Sequence, residues 1–168
     1  MRDITTLNHG VIGNGQVLAL VSPSTHIEWL CLPRFDSPSV FARLRDADLG
    51  GSFGFDLPGD AEVKMEYVAN TNVLQTRVTS ADGNFDIFDY APRVPSGLGV
   101  EAPIEIHRVV IPRSGQPHIR VRRVRSRPRS RSRPPCAGRR SGSERRVMAI
   151  RPMARRSCSV RRRSLRHR

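Results

Sequence analysis

The chain has 168 residues and a formal net charge of +14. This length fits one domain with room for a tail, and no segment reaches the roughly 20 apolar residues that a membrane span requires. The three cysteines, Cys31, Cys136 and Cys158, are odd in number and far apart, which argues against a disulfide framework or a zinc knuckle. We therefore predict a cytoplasmic protein without a signal peptide, a metal site, a cofactor or a membrane partner.

The charge divides the chain into two chemically different parts near residue 120. Residues 1–120 contain 10 Lys and Arg and 14 Asp and Glu, whereas residues 121–168 contain 19 Arg, no Lys and one acid. All Phe, Trp and Tyr residues lie in the first part. The second part has too little apolar surface to offset the entropy of ordering it. We predict a domain at 1–121 and a disordered tail, rich in Arg, Ser and Pro, at 122–168.

The first predicted elements are three strands between residues 10 and 32. GVI precedes the pair Asn14-Gly15, which is a type I′ hairpin signal because both central positions of that turn need a positive φ. The apolar run QVLALVS, at 16–22, is predicted to be the second strand after this turn. After a turn, IEWLCL alternates along its length, with Ile27, Trp29 and Cys31 predicted on one apolar face.

A short helix and further strands are predicted after this meander. Ser37-Pro38 matches an N-cap followed by Pro at the first helical position, so residues 39–48 are predicted to be helical. Alternating apolar residues between turn signals then predict strands at 51–57, 61–69, 72–80, 85–92, 103–112 and 118–122. The predicted fold class is mainly β: an antiparallel β-sandwich with one short helix and a disordered Arg-rich tail.

The arginine-rich segment 122–168 has three open explanations. It can be an arm that binds nucleic acid through phosphates, a solvated tail without a fixed role, or the product of a shifted reading frame. We favour the third, because GC-rich coding DNA read out of frame yields Arg, Pro and Ser codons and loses Lys codons. The composition also changes inside a strand-like run, HIRVR, whereas domain boundaries usually fall in linkers.

Residues 8–22 and 26–44 carry a specific resemblance. NHGVIGNGQVLALVS followed by HIEWLCLPRFDSPSVFARL resembles the start of bacterial glycoside hydrolase family 15 proteins, which include glucoamylase-like enzymes and trehalases. The resemblance is to the trehalase-like N-terminal domain and covers roughly residues 3–121. It implies that this chain holds part of a larger super-sandwich, which precedes an (α/α)₆ barrel in the family.

The resemblance also implies where catalysis takes place. In the family, two glutamates on barrel loops act as general acid and general base, and α-glucosides such as trehalose and maltodextrins are cleaved with inversion. No position of this chain matches either glutamate, so we predict no catalytic residue and an inactive, truncated domain whose partner is the absent barrel. An α-glucoside is expected to bind only in the intact parent, and nucleic acid only non-specifically through the tail.

Glu28 and Asp36 are the most suggestive carboxylates within the domain. Inverting hydrolysis needs two carboxyls about 6.5–9.5 Å apart across a sugar-sized pocket. Glu28 lies on the more polar face of its strand and is predicted to be solvated, whereas Asp36 is predicted to accept turn hydrogen bonds or to pair with Arg34. The loop of Arg34, Phe35 and Asp36 is predicted at most to border the substrate pocket of an intact homologue.

Other patterns in the domain are weaker. Residues 13–15 resemble the beginning of a dinucleotide fingerprint, but the third glycine position is Leu18 and no long helix follows. Trp29 is predicted to be a core ring and not a platform for sugar stacking. Four dispersed histidines are predicted at surface or turn positions and not as metal ligands: His9, His26, His107 and His118.

Two functions of other classes stay open from the sequence alone. One is a nucleic-acid-binding protein with a genuine arginine arm, and the other is a stand-alone carbohydrate-binding sandwich. Because the family sandwich has more strands, a domain that stops near residue 121 is predicted to have unpaired edges and to aggregate.

Overall fold

The computed structural model describes residues 8–97, 99–126 and 148–152 of the chain. These ranges form thirteen strands and contain no helix long and apolar enough to cross a bilayer. The strands are β1 (Gly10–Gly13), β2 (Leu18–Val21), β3 (Ile27–Cys31), β4 (Ser39–Ala42), β5 (Ser52–Asp56), β6 (Glu62–Tyr67), β7 (Leu74–Ser80), β8 (Gly83–Tyr90), β9 (Val94–Ser96), β10 (Gly99–Glu101), β11 (Ile106–Gly115), β12 (Arg120–Val124) and β13 (Met148–Pro152).

The strands form two large sheets and one small ribbon. Sheet A has the order β1-β2-β3-β5-β12, with β4 also paired to β3, and sheet B has the order β13-β11-β8-β7-β6. The strands β9 and β10 pair only with each other in the described part of the chain. All pairs are antiparallel except β11 with β13. The predicted mainly β, antiparallel sandwich is confirmed.

Apolar side chains of the two sheets pack together to form the interior. The larger cluster joins strands β1 to β5 to one end of sheet B, and it includes Ile12, Leu30 and Phe41 with Leu74 and Ile106. The smaller cluster joins β5 to the other end of sheet B, and it includes Phe55, Val78, Phe85 and Ile87. Burial of these side chains is the main favourable contribution to the sandwich.

A buried arginine also joins the two sheets. Arg108 on β11 is paired with its cross-strand neighbour Asp89 on β8, with Nε–Oδ1 and Nη2–Oδ2 distances of 2.7 and 2.9 Å. It donates two further hydrogen bonds across the interior, to the carbonyl oxygens of Thr25 at 2.6 Å and Phe53 at 2.9 Å. Its guanidinium lies 4.8 Å from the ring centroid of Phe55. Because the charge is paired and its donors are used, this arginine can be almost fully buried.

The predicted helix at 39–48 is wrong, because its first residues form β4. Phe41 lies opposite Leu30 in register, and its side chain is fully buried in the larger cluster. The chain then turns, and the carbonyl oxygen of Ala42 accepts two turn hydrogen bonds of 3.0 Å each. A ten-residue helix is marginal on its own, so the burial available beside β3 outweighs the N-cap signal.

A β-bulge in β3 changes which side chains enter the core. Glu28 is an extra residue opposite β2, because positions 27 and 29 face consecutive residues of that strand. The extra residue resets the alternation. Leu30 is therefore fully buried, whereas Trp29 is only half-buried and belongs to neither cluster. The prediction of Trp29 as a core ring is wrong.

The edge strand β1 is covered by side chains from the β6–β7 hairpin. The hydroxyl of Tyr67 accepts a hydrogen bond from the Val11 amide at 2.8 Å and donates one to the Val11 carbonyl at 2.9 Å. The side chain of Asn72 donates to the carbonyl oxygen of Gly13. These contacts occupy backbone groups that could otherwise pair with another strand, so the expected open edge is not found at β1.

The region predicted to be a disordered tail contributes strands to both sheets. β12 continues to Val124 and pairs with β5 along its whole length, so the boundary predicted at 121 falls inside a strand. The backbone of Met148–Pro152 pairs with β11. Such strand addition uses main-chain hydrogen bonds and does not require apolar side chains, and the division into a domain and a tail stays a prediction. The rest of the predicted tail beyond residue 126 lies outside the described residues.

Candidate domain interface

The loop predicted to border a substrate pocket is an exposed turn at the end of β3. Arg34 and Asp36 form a bidentate ion pair with two N–O distances of 3.1 Å, which confirms the predicted pairing. Ser37 closes the turn, since its hydroxyl accepts from the Arg34 amide at 3.2 Å and its amide donates to the Arg34 carbonyl at 3.1 Å. Phe35 is 69% exposed. The turn therefore presents an aromatic ring on a fixed backbone.

Glu28 is partly buried, which corrects the prediction of a solvated position. Its side chain is 16% exposed and lies between His9, at 3.3 Å from Nε2, and Arg43, at 3.7 Å from Nε. Its backbone carbonyl accepts a hydrogen bond from the Leu44 amide at 3.3 Å. The bulge at this position explains the difference from the strand pattern. Glu28 anchors the turn after β4, and it has different ion-pair partners from Asp36.

His26 lies in the predicted turn but is buried there. Its Nδ1 is 3.2 Å from the Ser52 hydroxyl, and a Cβ at Gly54 would lie 2.5 Å from its Cγ, so the imidazole packs directly on the glycine. Burial lowers the pKa of His26, and the charges of Arg43 and Arg108 lower this pKa further. The imidazole is therefore neutral at neutral pH and serves the packing of sheet A.

The other histidines of the described residues are separated from one another. His9 is paired with Glu28, as above, and His118 is exposed. His107 lies 2.9 Å from a carboxylate oxygen of Glu105, and its ring stacks on Tyr90 with centroids 5.3 Å apart. In residues 8–97, 99–126 and 148–152, no three His, Cys, Asp or Glu side chains are grouped as a metal site would require.

Cys31 does not offer a nucleophile in this region. It is buried at the end of β3. Burial raises the pKa of its thiol, and the nearby charge of Asp36 raises this pKa further. The thiolate is the reactive form of cysteine, so Cys31 has the properties of a small packing residue.

Sequence reasoning missed a clamp centred on Asn14. Its side-chain amide donates to the carbonyl oxygens of Pro92 at 3.0 Å and Pro103 at 2.8 Å. Its Oδ1 accepts from the amides of Gln16 at 3.0 Å and Val17 at 3.1 Å. The predicted hairpin is confirmed, but its loop spans 14–17 and is not a type I′ turn, because the Asn14 side chain organises a longer turn.

Pro92 and Pro103 flank a ribbon that we call the arm, defined as β9 and β10. All six residues of the two strands are exposed, and the exposed fractions of Val94 and Val100 are 48% and 55%. The turn includes Gly97 at a φ of 52°. Ser96-Gly97 and Gly99 between short apolar stretches are a hairpin signal that could have predicted the arm.

Three connections leave sheet A at the same end. The strands β1, β3 and β12 run in the same direction within the antiparallel sheet. The Asn14 turn, the loop 32–38 and the chain after β12 therefore follow strand ends on one side of the molecule. We call this side the loop end, and the arm is attached to it through Asn14.

An open cleft of about 440 Å³ lies at the loop end, beside β4 and β12. It is lined by Ser39, Val40, Phe41, Arg123, Arg125 and Ser126. Its size is within the range of small-ligand sites, but its lining contains no carboxylate. It therefore lacks the acid and base that glycoside hydrolysis requires.

Comparisons with known proteins identify relatives of this domain. The family model described as trehalase-like, N-terminal, matches residues 4–115. Trehalase 1 and Trehalase 2 of Sulfolobus acidocaldarius are 42% and 34% identical to this chain over 106 residues. The aligned regions cover 62% and 63% of this chain, but only 18% and 17% of those proteins. A trehalase of Thermoplasma volcanium is 36% identical over 106 residues, or 61% of this chain and 16% of that protein.

No solved structure matches the chain. The chain spans less than a fifth of the length of the relatives it matches. The family match, however, covers well over half of this chain and extends from before β1 to the end of β11. This chain belongs to the family of trehalase-like N-terminal domains.

Proposed function

We propose that this chain is the non-catalytic N-terminal domain of a glycoside hydrolase family 15 protein. The parent protein hydrolyses α-glucosidic bonds of trehalose or maltodextrins with inversion, in the cytoplasm. The family match over residues 4–115 carries the proposal. The relatives are named trehalases, and the matched region is under a fifth of their length, so the activity is assigned to the part that follows.

The chemistry of the described residues supports a non-catalytic role. An inverting enzyme needs one carboxylic acid that protonates the leaving oxygen and one carboxylate that activates water. Asp36 is held by Arg34 on an exposed turn, and Glu28 is held by His9 and Arg43 beside β4. Neither carboxylate lines the cleft. The acid and base are therefore assigned to an (α/α)₆ barrel in the parent.

The loop of Arg34, Phe35 and Asp36 is proposed to lie against that barrel and to border its substrate pocket. The exposed ring of Phe35 supports this role, since a large apolar side chain that is solvated in the free domain favours burial in an interface. The bidentate pair beneath it fixes the turn before contact is made.

An assay of the purified 168-residue chain tests the non-catalytic role. The chain is incubated with trehalose or maltose, and released glucose is measured, with Trehalase 1 of S. acidocaldarius as the positive control. We expect no release above the buffer blank. Glucose release that increases in proportion to the concentration of the 168-residue chain would contradict the proposal.

A chimera tests the role in a complete enzyme. Residues 4–115 of this chain replace the matched region of S. acidocaldarius Trehalase 1. We expect the chimera to hydrolyse trehalose, and Phe35→Ala within it to raise KM if the loop borders the pocket. A cooperatively melting chimera without activity would count against the proposed role of the domain.

A further inference from the structure

We propose that the arm is a docking element that seats the catalytic domain of the parent protein against the loop end. The inference rests on the proposed function and adds to it a second contact surface, separate from the loop 32–38. It is carried by the anchored base of the arm, by its exposed apolar residues and by the direction in which the chain leaves sheet A.

The base of the arm is fixed by the fold. The buried side chain of Asn14 holds the carbonyl groups of Pro92 and Pro103 together, and its two acceptor bonds tie it to the β1–β2 turn. All hydrogen-bonding groups of the amide are used in these four bonds. The arm is therefore held in a defined direction before a partner binds, which reduces the entropy cost of binding.

The arm pairs with no strand outside itself in the described residues. A two-stranded ribbon is marginally stable by itself, and all residues of β9 and β10 are exposed. Val94 and Val100 on the arm and Ile104 beyond it are large apolar residues among the most exposed in the domain. Phe35 adds a fourth on the loop at the same end of the molecule. Val94 and Val100 lie on opposite faces of the ribbon, since they pair with Glu101 and Pro95, so a partner that buries both must contact both faces of the arm.

The direction of β12 identifies the occupant. β12 brings the chain back to the loop end, at the edge of sheet A opposite β1, so the polypeptide that follows this strand starts at the same end of the molecule as the arm and the loop. The family domain is N-terminal, and its relatives have more than four fifths of their length outside the matched region. A covalently attached catalytic domain is present at high effective concentration, so a small apolar contact is sufficient to orient it.

Thiol labelling measures whether the arm becomes covered. Val100→Cys is introduced into the 168-residue chain, with Cys136 and Cys158 changed to serine, and into the full-length chimera with Trehalase 1. Lys64→Cys, at an exposed position of β6, is the matched control. We expect maleimide to react at position 100 at least about tenfold more slowly in the chimera than in the 168-residue chain, and at position 64 at similar rates in both.

The outcomes separate the arm from the proposed function. Equal rates at position 100 in a cooperatively melting chimera overturn the docking role, whether or not the chimera hydrolyses trehalose. Slow labelling in an inactive chimera supports docking and counts against the proposed function. Labelling of the 168-residue chain that slows as its concentration rises identifies a second copy as the occupant and overturns the proposal.

A second measurement applies if the chimera does not fold. The 168-residue chain carrying Val100→Cys is titrated with Trehalase 1 from which the matched region has been deleted. Protection at position 100, with none at position 64 in the control, supports docking. An unchanged rate at about millimolar partner, which matches the effective concentration of a linked domain, contradicts it.

Discussion

The described residues include two bidentate Arg–Asp pairs in opposite environments. Arg108 and Asp89 are 1% and 0% exposed, and they lie between the sheets. Arg34 and Asp36 are 68% and 55% exposed, and they lie on the loop that carries Phe35. The N–O distances are similar, at 2.7 to 2.9 Å inside and 3.1 Å outside. The same geometry therefore serves stability in one region and presentation of a surface in the other.

The difference follows from solvation. An exposed pair interacts in a high dielectric and contributes about 0–1 kcal/mol. A buried pair has lost its hydration, and removal of one partner leaves an uncompensated charge. We call the buried pair of Arg108 and Asp89, with its hydrogen bonds to Thr25 and Phe53, the joint. The joint is thus sensitive to any change, whereas the loop 32–38 can change without unfolding the domain. This is the behaviour expected of a fixed support with a separate contact surface.

The largest effect is expected from Arg108→Leu. This change leaves the buried Asp89 carboxylate without its cation and also removes the bonds to Thr25 and Phe53. We expect a loss of about 3–5 kcal/mol in the free energy of unfolding, measured by urea denaturation of the 168-residue chain. A loss below about 1 kcal/mol would show that the joint does not hold the sheets together.

An intermediate effect is expected from Asn14→Asp at neutral pH. The carboxylate keeps the acceptor for the Gln16 and Val17 amides but cannot donate to Pro92 and Pro103. We expect a loss of about 1–3 kcal/mol, with faster hydrogen exchange in the arm. Asn72→Ala, which removes a single bond to Gly13, is the control with intact arm anchoring. Unchanged exchange at the arm in Asn14→Asp would contradict the clamp.

A smaller effect is expected from the titration of His26. Because its pKa in the folded chain is lowered, the unfolded chain binds more protons below about pH 6.5. Stability due to the neutral imidazole is fully present above that pH and falls as the pH decreases toward the folded pKa. His26→Gln should therefore lose less stability than the wild type between pH 7.5 and 5.5. Equal losses of stability in His26→Gln and in the wild type would contradict this assignment. His118→Gln, at an exposed position, is the control.

The smallest effect on stability is expected from Arg34→Ala. The pair with Asp36 is exposed, so we expect a change below about 1 kcal/mol in the same urea experiment. In the chimera, the same change should alter KM, because the turn that presents Phe35 loses its ion pair. A loss of more than about 2 kcal/mol would show that the loop is part of the structural core of the domain.

Local patterns predicted most of the sheet framework, because alternation and turn residues act over short distances. The strands at 61–69, 72–80 and 85–92 coincide with β6, β7 and β8. The N-cap signal at Ser37-Pro38 was misleading, because burial of Phe41 beside Leu30 is a tertiary effect. The bulge at Glu28 is also invisible in the sequence, since the register of β2 determines it.

The two Arg–Asp pairs were predictable to different degrees. The pairing of Arg34 with Asp36 was predicted because the two residues are only two positions apart in the sequence. The joint was missed, although Ile106, Arg108 and Val110 alternate in β11 and this spacing places Arg108 toward the core. Its partners, Thr25 and Phe53, are distant in sequence, so only the fold brings them together.

Hydrogen exchange of the 168-residue chain and of the chimera with Trehalase 1 tests the central claim most directly. If the domain is a fixed support with a contact surface at the loop end, protection should increase in the chimera at residues 32–38, 93–97 and 99–102. Protection of β8 and β11 around Asp89 and Arg108 should already be high in the free chain and stay the same. Increased protection on the outer face of β6 and β7, with none at the loop end, would contradict the account.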